Sequence, residues 1–125
     1  MAERARILVV EPELRVRGAL VTAAYAAGHR VEAVCTERAM RQALERRCDI
    51  VFIDAHAGLA GYDGLALAEY AASHGAAIIV IADASHDQRA LEQAGYLTLS
   101  SSFRSEDVIR LIDQALRRQP TKSLA

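Results

Sequence analysis

The chain has 125 residues, of which 52% are hydrophobic and 25% charged, with a formal net charge of −1. That length suits one domain around one core, and such a chain buries about two-thirds of the surface it exposes when unfolded, so neither metal nor disulfide is needed to hold it. Near-neutral charge argues against the strongly basic face of a nucleic-acid binder, and no segment approaches the ~18 apolar residues of a membrane span. Cys35 and Cys48 lack a CxxC spacing and read as reduced thiols. The apolar run after Arg6 is too short for a signal-peptide core, so a soluble, cytoplasmic chain is expected.

Strand and helix signals then alternate five times. Residues 7–10 form a continuous apolar run, the pattern of a strand buried on both faces. Val16, Leu20, Ala23, Ala24 and Ala27 recur at helical spacing, and Gly28 follows as a C-terminal stop. Residues 31–35 read as a second strand, and Thr36 as the N-cap of a helix carrying Met40, Ala43 and Leu44 on one stripe. Residues 50–53 predict a third strand ending at Asp54. The stretch 55–64 holds three glycines and reads as a loop. A helix over 65–72 stops at Gly75, and residues 77–81 form a strand without a polar residue.

Ser85-His86-Asp87-Gln88 has capping-box spacing, with Gln88 reaching back, and the helix it opens runs to Gly95. Residues 96–100 form a weak fifth strand. Ser105 is the expected cap of the last helix, whose acids Glu106 and Asp107 lie at its start and whose Arg117 and Arg118 lie at its end, as the helix dipole favours. Residues 1–119 are thus one domain, and 120–125 a flexible tail. Largely apolar strands joined by helices imply an α/β fold, a doubly wound parallel sheet covered on both faces. Right-handed crossovers and five strands favour the flavodoxin-like order 2-1-3-4-5, flanked by five helices.

In such a sheet, ligands bind beyond the carboxyl ends of the strands where the winding reverses, between the first and third strands. Glu11 and Asp54 stand just past those two ends, and the fourth and fifth strands deliver Ala82 and Ser101 to the same rim. If the two carboxylates meet without a metal, one pKa must rise. Asp54 could equally be an unused loop acid, and Glu11 a rim carboxylate with no ligand.

The runs Ile7-Leu8-Val9-Val10-Glu11-Pro12-Glu13 and Ile50-Val51-Phe52-Ile53-Asp54, with Arg17, Leu20, Gly64, Gly95 and Phe103 at fitting intervals, resemble the receiver domain of bacterial response regulators over about residues 6 to 117. The resemblance implies that Asp54 is the phosphoacceptor, modified by a histidine kinase or phosphotransfer protein. It also implies Mg²⁺ held by two acids after the first strand, a hydroxyl residue after the fourth and a lysine after the fifth. The chain departs from this pattern at nearly every supporting position. Glu11 matches the first acid, but Pro12 replaces the second and Glu13 lies one step beyond. Ala82 replaces the hydroxyl, Ser101 the lysine, Ser102 the following proline and Thr98 the switch aromatic. Loss of the cation alone removes charge-assisted hydrogen bonding of roughly 1.5–3 kcal/mol.

The expected function is therefore that of a degenerate receiver, or pseudo-receiver, with no catalytic residue of its own. It would act by protein–protein contact, with no cofactor required and at most weak Mg²⁺ at Glu11 and Asp54. Its partner would be a histidine kinase, a phosphotransfer protein or another response regulator, met through the last two helices and fifth strand with Phe103, Arg104 and Arg110 as contacts. With no output domain following the last helix, output is expected through surface contacts alone. A slow but competent phosphoacceptor at Asp54 is the alternative, and a small-molecule binder on the same fold a third reading. Asp54-Ala55-His56 opens like a cobalamin-binding motif, but Leu59 stands where that motif needs glycine, so His56 reads as a solvated loop residue. Arg41, Arg46 and Arg47, balanced by Glu37 and Glu45, read as a solvated helix face, and Tyr25 and Tyr70 as partly exposed aromatics.

Overall fold

The computed structural model describes residues 4–55, 64–83 and 85–118. Ten elements alternate in chain order: β1 (Arg6–Val10), α1 (Leu14–Ala26), β2 (Arg30–Val34), α2 (Glu37–Leu44), β3 (Ile50–Asp54), α3 (Gly64–Ser73), β4 (Ala77–Ile81), α4 (Ser85–Gln93), β5 (Leu97–Leu99) and α5 (Ser105–Arg118). The five strands form one parallel sheet in the order β2-β1-β3-β4-β5. This is the expected doubly wound, flavodoxin-like arrangement. β2 begins and ends one residue earlier than the alternation suggested, and β5 is shorter than the five residues expected. The expected tail and the loop around His56 and Leu59 lie outside the described residues.

The pleat explains why the interiors of the central strands are apolar, with polar residues only at strand ends, Arg6 opening β1 and Asp54 closing β3. Successive residues point to opposite faces, and both faces are covered. Ile7, Val9, Ile50, Phe52, Ile79 and Ile81 meet Leu20 and Ala24 of α1 and Val108 and Ile112 of α5. Leu8, Val10, Val51, Ile53 and Val80 meet Met40 and Leu44 of α2, Leu67 and Ala71 of α3 and Leu91 of α4. The edge strand β2 is only half covered, which is why its sequence mixes Arg30 and Glu32 with valines.

Helix ends follow local chemistry. α1 is capped by Glu13, whose carboxylate accepts from the Arg15 and Val16 N–H groups, and α2 by Thr36, which accepts from the Ala39 N–H as expected. α1 closes with paired hydrogen bonds, His29 N–H to the Ala24 carbonyl and Gly28 N–H to the Tyr25 carbonyl. This closure needs a left-handed residue at Gly28, where φ is 96°.

One capping expectation needs correction. α5 begins at Ser105, so Arg104 sits at the cap, and the Asp107 carboxylate reaches back to accept its N–H at 2.9 Å. Asp107 provides the carboxylate half of a capping box, while Ser105 is already inside the first turn. α4 begins at Ser85, its expected cap lies outside the described side chains, and the Gln88 amide reaches back to donate to the Ala82 carbonyl.

Candidate functional site: the carboxyl rim of the sheet

Register builds the site. Val10 is level with Ile53 across the β1–β3 pair, so the next residues, Glu11 and Asp54, leave adjacent strands side by side. Asp54 is in turn level with Ile81, and Ile81 with Leu99, which carries the rim on to Ala82 and Ser100. The Ala82 N–H extends the ladder by one bond, to the Leu99 carbonyl at 2.9 Å. Gly64, the first residue of α3, lies against the end of β3. A Cβ there would collide with the backbone carbonyl of Asp54 and stand 2.8 Å from that of Ala55. Glycine at this position lets α3 start directly over the strand end.

Glu11 is completely buried. One carboxylate oxygen, Oε2, accepts from the Glu13 N–H at 3.0 Å, whereas Oε1 is buried without a partner of hydrogen-bond geometry among the described residues. Burial first, and then the neighbouring Asp54 carboxyl, push its pKa from 4.5 up to about 7, against the lowering effect of the Glu13 N–H. The expected convergence of two acids and the expected rise of one pKa are both found. Arg17 fixes the connection that carries Glu11: its Nη1 donates to the carbonyls of Glu11 at 3.0 Å and Pro12 at 3.2 Å.

A cleft of about 530 Å³ opens in front of Asp54, lined by Glu13, Val16, Asp54, Ile81, Ala82, Asp83, Asp87 and Ser101. Four of these are acids and none is a cation. Asp83, the residue after Ala82, is not among the expected rim residues, yet it faces the serine turn. Its Oδ1 accepts from the Ser101 N–H at 2.7 Å and from the Ser100 hydroxyl at 3.1 Å, and its Oδ2 accepts from the Ser101 hydroxyl at 2.7 Å. The signal was available: the topology that brings Ala82 to the rim brings Asp83, two residues past β4, opposite a run of serines.

No family model matches the sequence, and no curated protein matches it. Solved structures do. The NtrX protein of Brucella abortus in complex with ADP has a TM-score of 0.77 at 21% identity over 94% of this chain. The chemotaxis response regulator CheY4 of Vibrio cholerae has a TM-score of 0.75 at 17% identity, covering 90% of this chain and 99% of that one. The beryllofluoride-activated DrrB receiver domain reaches 0.79 at 16% identity, covering 93% and 100%. The fold is that of a response-regulator receiver domain. The chain spans only 28% of the length of the NtrX chain it matches.

On the receiver frame, Asp54 closes β3 where the phosphoacceptor is expected, and Ala82 presents a buried methyl where the hydroxyl is expected. Ser101 is engaged by Asp83. Thr98, where the resemblance expects an aromatic, is a small side chain on β5 that donates its hydroxyl to Glu92 of α4 at 3.1 Å. Phe103 is half-buried against the α1–α5 side of the core, and the exposed Arg110 pairs with Asp107 at 3.2 Å. Among the described residues the most exposed large apolar side chains are elsewhere, Leu14 at 70% and Tyr25 at 74%, both on α1. Tyr70 is half-buried beneath the Arg41 guanidinium, 4.3 Å from its ring centroid. A second hollow of about 440 Å³ between α3 and α4 is mostly apolar, with Leu65, Leu91 and Tyr96 in its lining and Glu69 and Asp87 as its charged groups.

The Mg²⁺ implied by the receiver resemblance can be tested against these donors. The unpartnered Glu11 Oε1 and the adjacent Asp54 carboxyl could face a cation, but the supporting ligands fail. Pro12 brings no carboxylate, and its carbonyl accepts from Arg17. Glu13 uses both oxygens to cap α1. Among the described residues, no group of three or more His, Cys, Asp or Glu side chains could hold a metal. Two carboxylates completed by water are the least that the octahedral shell of Mg²⁺ uses, so the described donors fit at most a weakly held ion.

Proposed function

We propose that this chain is a pseudo-receiver, a signalling module that binds another protein of a two-component pathway and does not depend on modification of Asp54. One observation carries the reading: the cleft where a phosphoryl group would sit is lined by Glu13, Asp54, Asp83 and Asp87, with Ala82 and an Asp83-bound Ser101 in place of its ligands. A phosphoryl dianion placed there meets carboxylates at short range and gains no charge-assisted hydrogen bond from the described lining residues. A modification shifts a conformational equilibrium only through contacts that differ between the two states, and among the described residues Ala82, Thr98 and Ser101 offer it none of the expected ones. The partner is a histidine kinase, a phosphotransfer protein or a response regulator. Arg104 and Arg110, both exposed, and the edge of Phe103 are the proposed contacts on the α5 side, with Leu14 and Tyr25 adding apolar area on α1.

The test is a titration of Mg²⁺ with beryllofluoride, a phosphoryl mimic, followed by backbone amide spectra. No saturable change is expected. Saturable shifts around Asp54 that vanish in Asp54→Asn would instead establish a slow phosphoacceptor, the reading favoured by the placement of Glu11 beside Asp54. Partner recovery should be equal for wild type, Asp54→Asn and Asp54→Glu.

A further inference from the structure

We propose that Asp83 is a built-in anion of the switch: its carboxylate holds the β5–α5 turn against the end of β4, as a phosphoryl group would, and fixes both connections in one arrangement whatever the state of Asp54. This rests on the pseudo-receiver reading and gives it a physical cause. Both Asp83 oxygens are engaged, by the Ser101 N–H and hydroxyl at 2.7 Å each and by the Ser100 hydroxyl at 3.1 Å. The turn is organised around the same contact, because Ser100 Oγ also accepts from the Ser102 N–H at 3.2 Å and lies 3.0 Å from the Ser102 hydroxyl. Ser101 occupies the position where the resemblance expects a lysine, so a backbone N–H and a hydroxyl now bind an anion that belongs to the chain itself.

The neighbouring contacts extend the lock to α4. Gln88 in its first turn donates to the Ala82 carbonyl, and Glu92 near its end accepts from the Thr98 hydroxyl of β5. The helix is therefore tied to the end of β4 at one end and to β5 at the other, with Asp83 bridging the two strands' exits. An anion tethered in the same loop does not dissociate, and its charge opposes a second anion in the cleft. The arrangement also predicts why a single repair should fail: a lysine at position 101 would find Asp83 before it found any phosphoryl group.

The experiment compares amide hydrogen exchange and beryllofluoride response in the full chain for wild type, Asp83→Ala, Asp83→Asn, Ser101→Lys and the double variant Asp83→Ala/Ser101→Lys. Loss of the carboxylate is expected to speed exchange of the Ser101 amide at least tenfold and to broaden resonances from Leu97 to Ser102. Asp83→Asn, isosteric but with one acceptor oxygen, should move in the same direction and covers the case in which the alanine variant does not fold. Beryllofluoride should produce shifts reaching Thr98 and Glu92 in the double variant and not in Ser101→Lys alone. Ser101 exchange unchanged in both Asp83 variants, or an equal response with Asp83 retained, would overturn the proposal. A wild-type response at Asp54 with fast exchange in the Asp83 variants would remove the pseudo-receiver reading and leave the lock standing.

Discussion

Glu11 decides the chemistry at the level of single residues. Its carboxyl has an ordinary pKa in the unfolded chain and one near 7 in the folded chain. Between those values the folded protein keeps a proton that the unfolded protein has released. Stability from this group is thus complete below about pH 4.5, falls as pH rises to 7, and is level above that. The whole loss is on the order of 3 kcal/mol, from about 1.4 kcal/mol per unit. Glu11→Gln should remove the slope, making the variant more stable than wild type at pH 8 and nearly equal to it at pH 4.5. Urea unfolding at the two pH values measures this, and parallel curves would refute it. The convergence of Glu11 with Asp54 was legible in the sequence because topology and register alone set it. The place of Asp83 at the rim was legible in the same way, but its hydrogen bonds were not, because they depend on the conformation of a serine turn that no periodicity encodes.

At the scale of elements, the ends of helices were harder to read than their faces. The stripe Met40, Ala43 and Leu44 predicted a buried side for α2, and those residues are buried. Ser105 has the look of a cap because it is a Ser just ahead of an apolar repeat, yet it lies inside the first turn. The cap at Arg104 is completed through its backbone by Asp107, and the Gln88 amide serves as a donor. α1 is the clearest case: a glutamate that resembled a misplaced metal ligand is its N-cap. Glu13→Ala should destabilise the fold by about 1 kcal/mol, read as a lower urea midpoint. An unchanged midpoint would mean the cap carries no weight. Gly64→Ala should cost about 1–3 kcal/mol, because the added methyl meets backbone carbonyls that cannot simply rotate away. Retention of wild-type stability there would show that α3 can lift from β3 freely.

For the whole molecule, apolar strands alternating with helical stripes were enough to predict the order 2-1-3-4-5, since a parallel sheet buried on both faces leaves few windings. The two faces share every central strand, so they should melt together. Phe52→Ala on the α1–α5 side should cost about 3–5 kcal/mol and Met40→Ala on the other about 2–5 kcal/mol, each lowering one common transition. Two separated transitions, seen as circular dichroism and fluorescence midpoints that disagree, would show that the faces unfold independently. The chain contains no tryptophan and four tyrosines, so its intrinsic emission is tyrosine emission. Tyr25 projects from α1 into water while Tyr70 lies beneath Arg41. A water-borne quencher such as iodide should therefore dim Tyr25 before Tyr70, and any molecule that settles over α1 would shade that lamp, giving the protein an unlabelled optical gauge of contact on this helix.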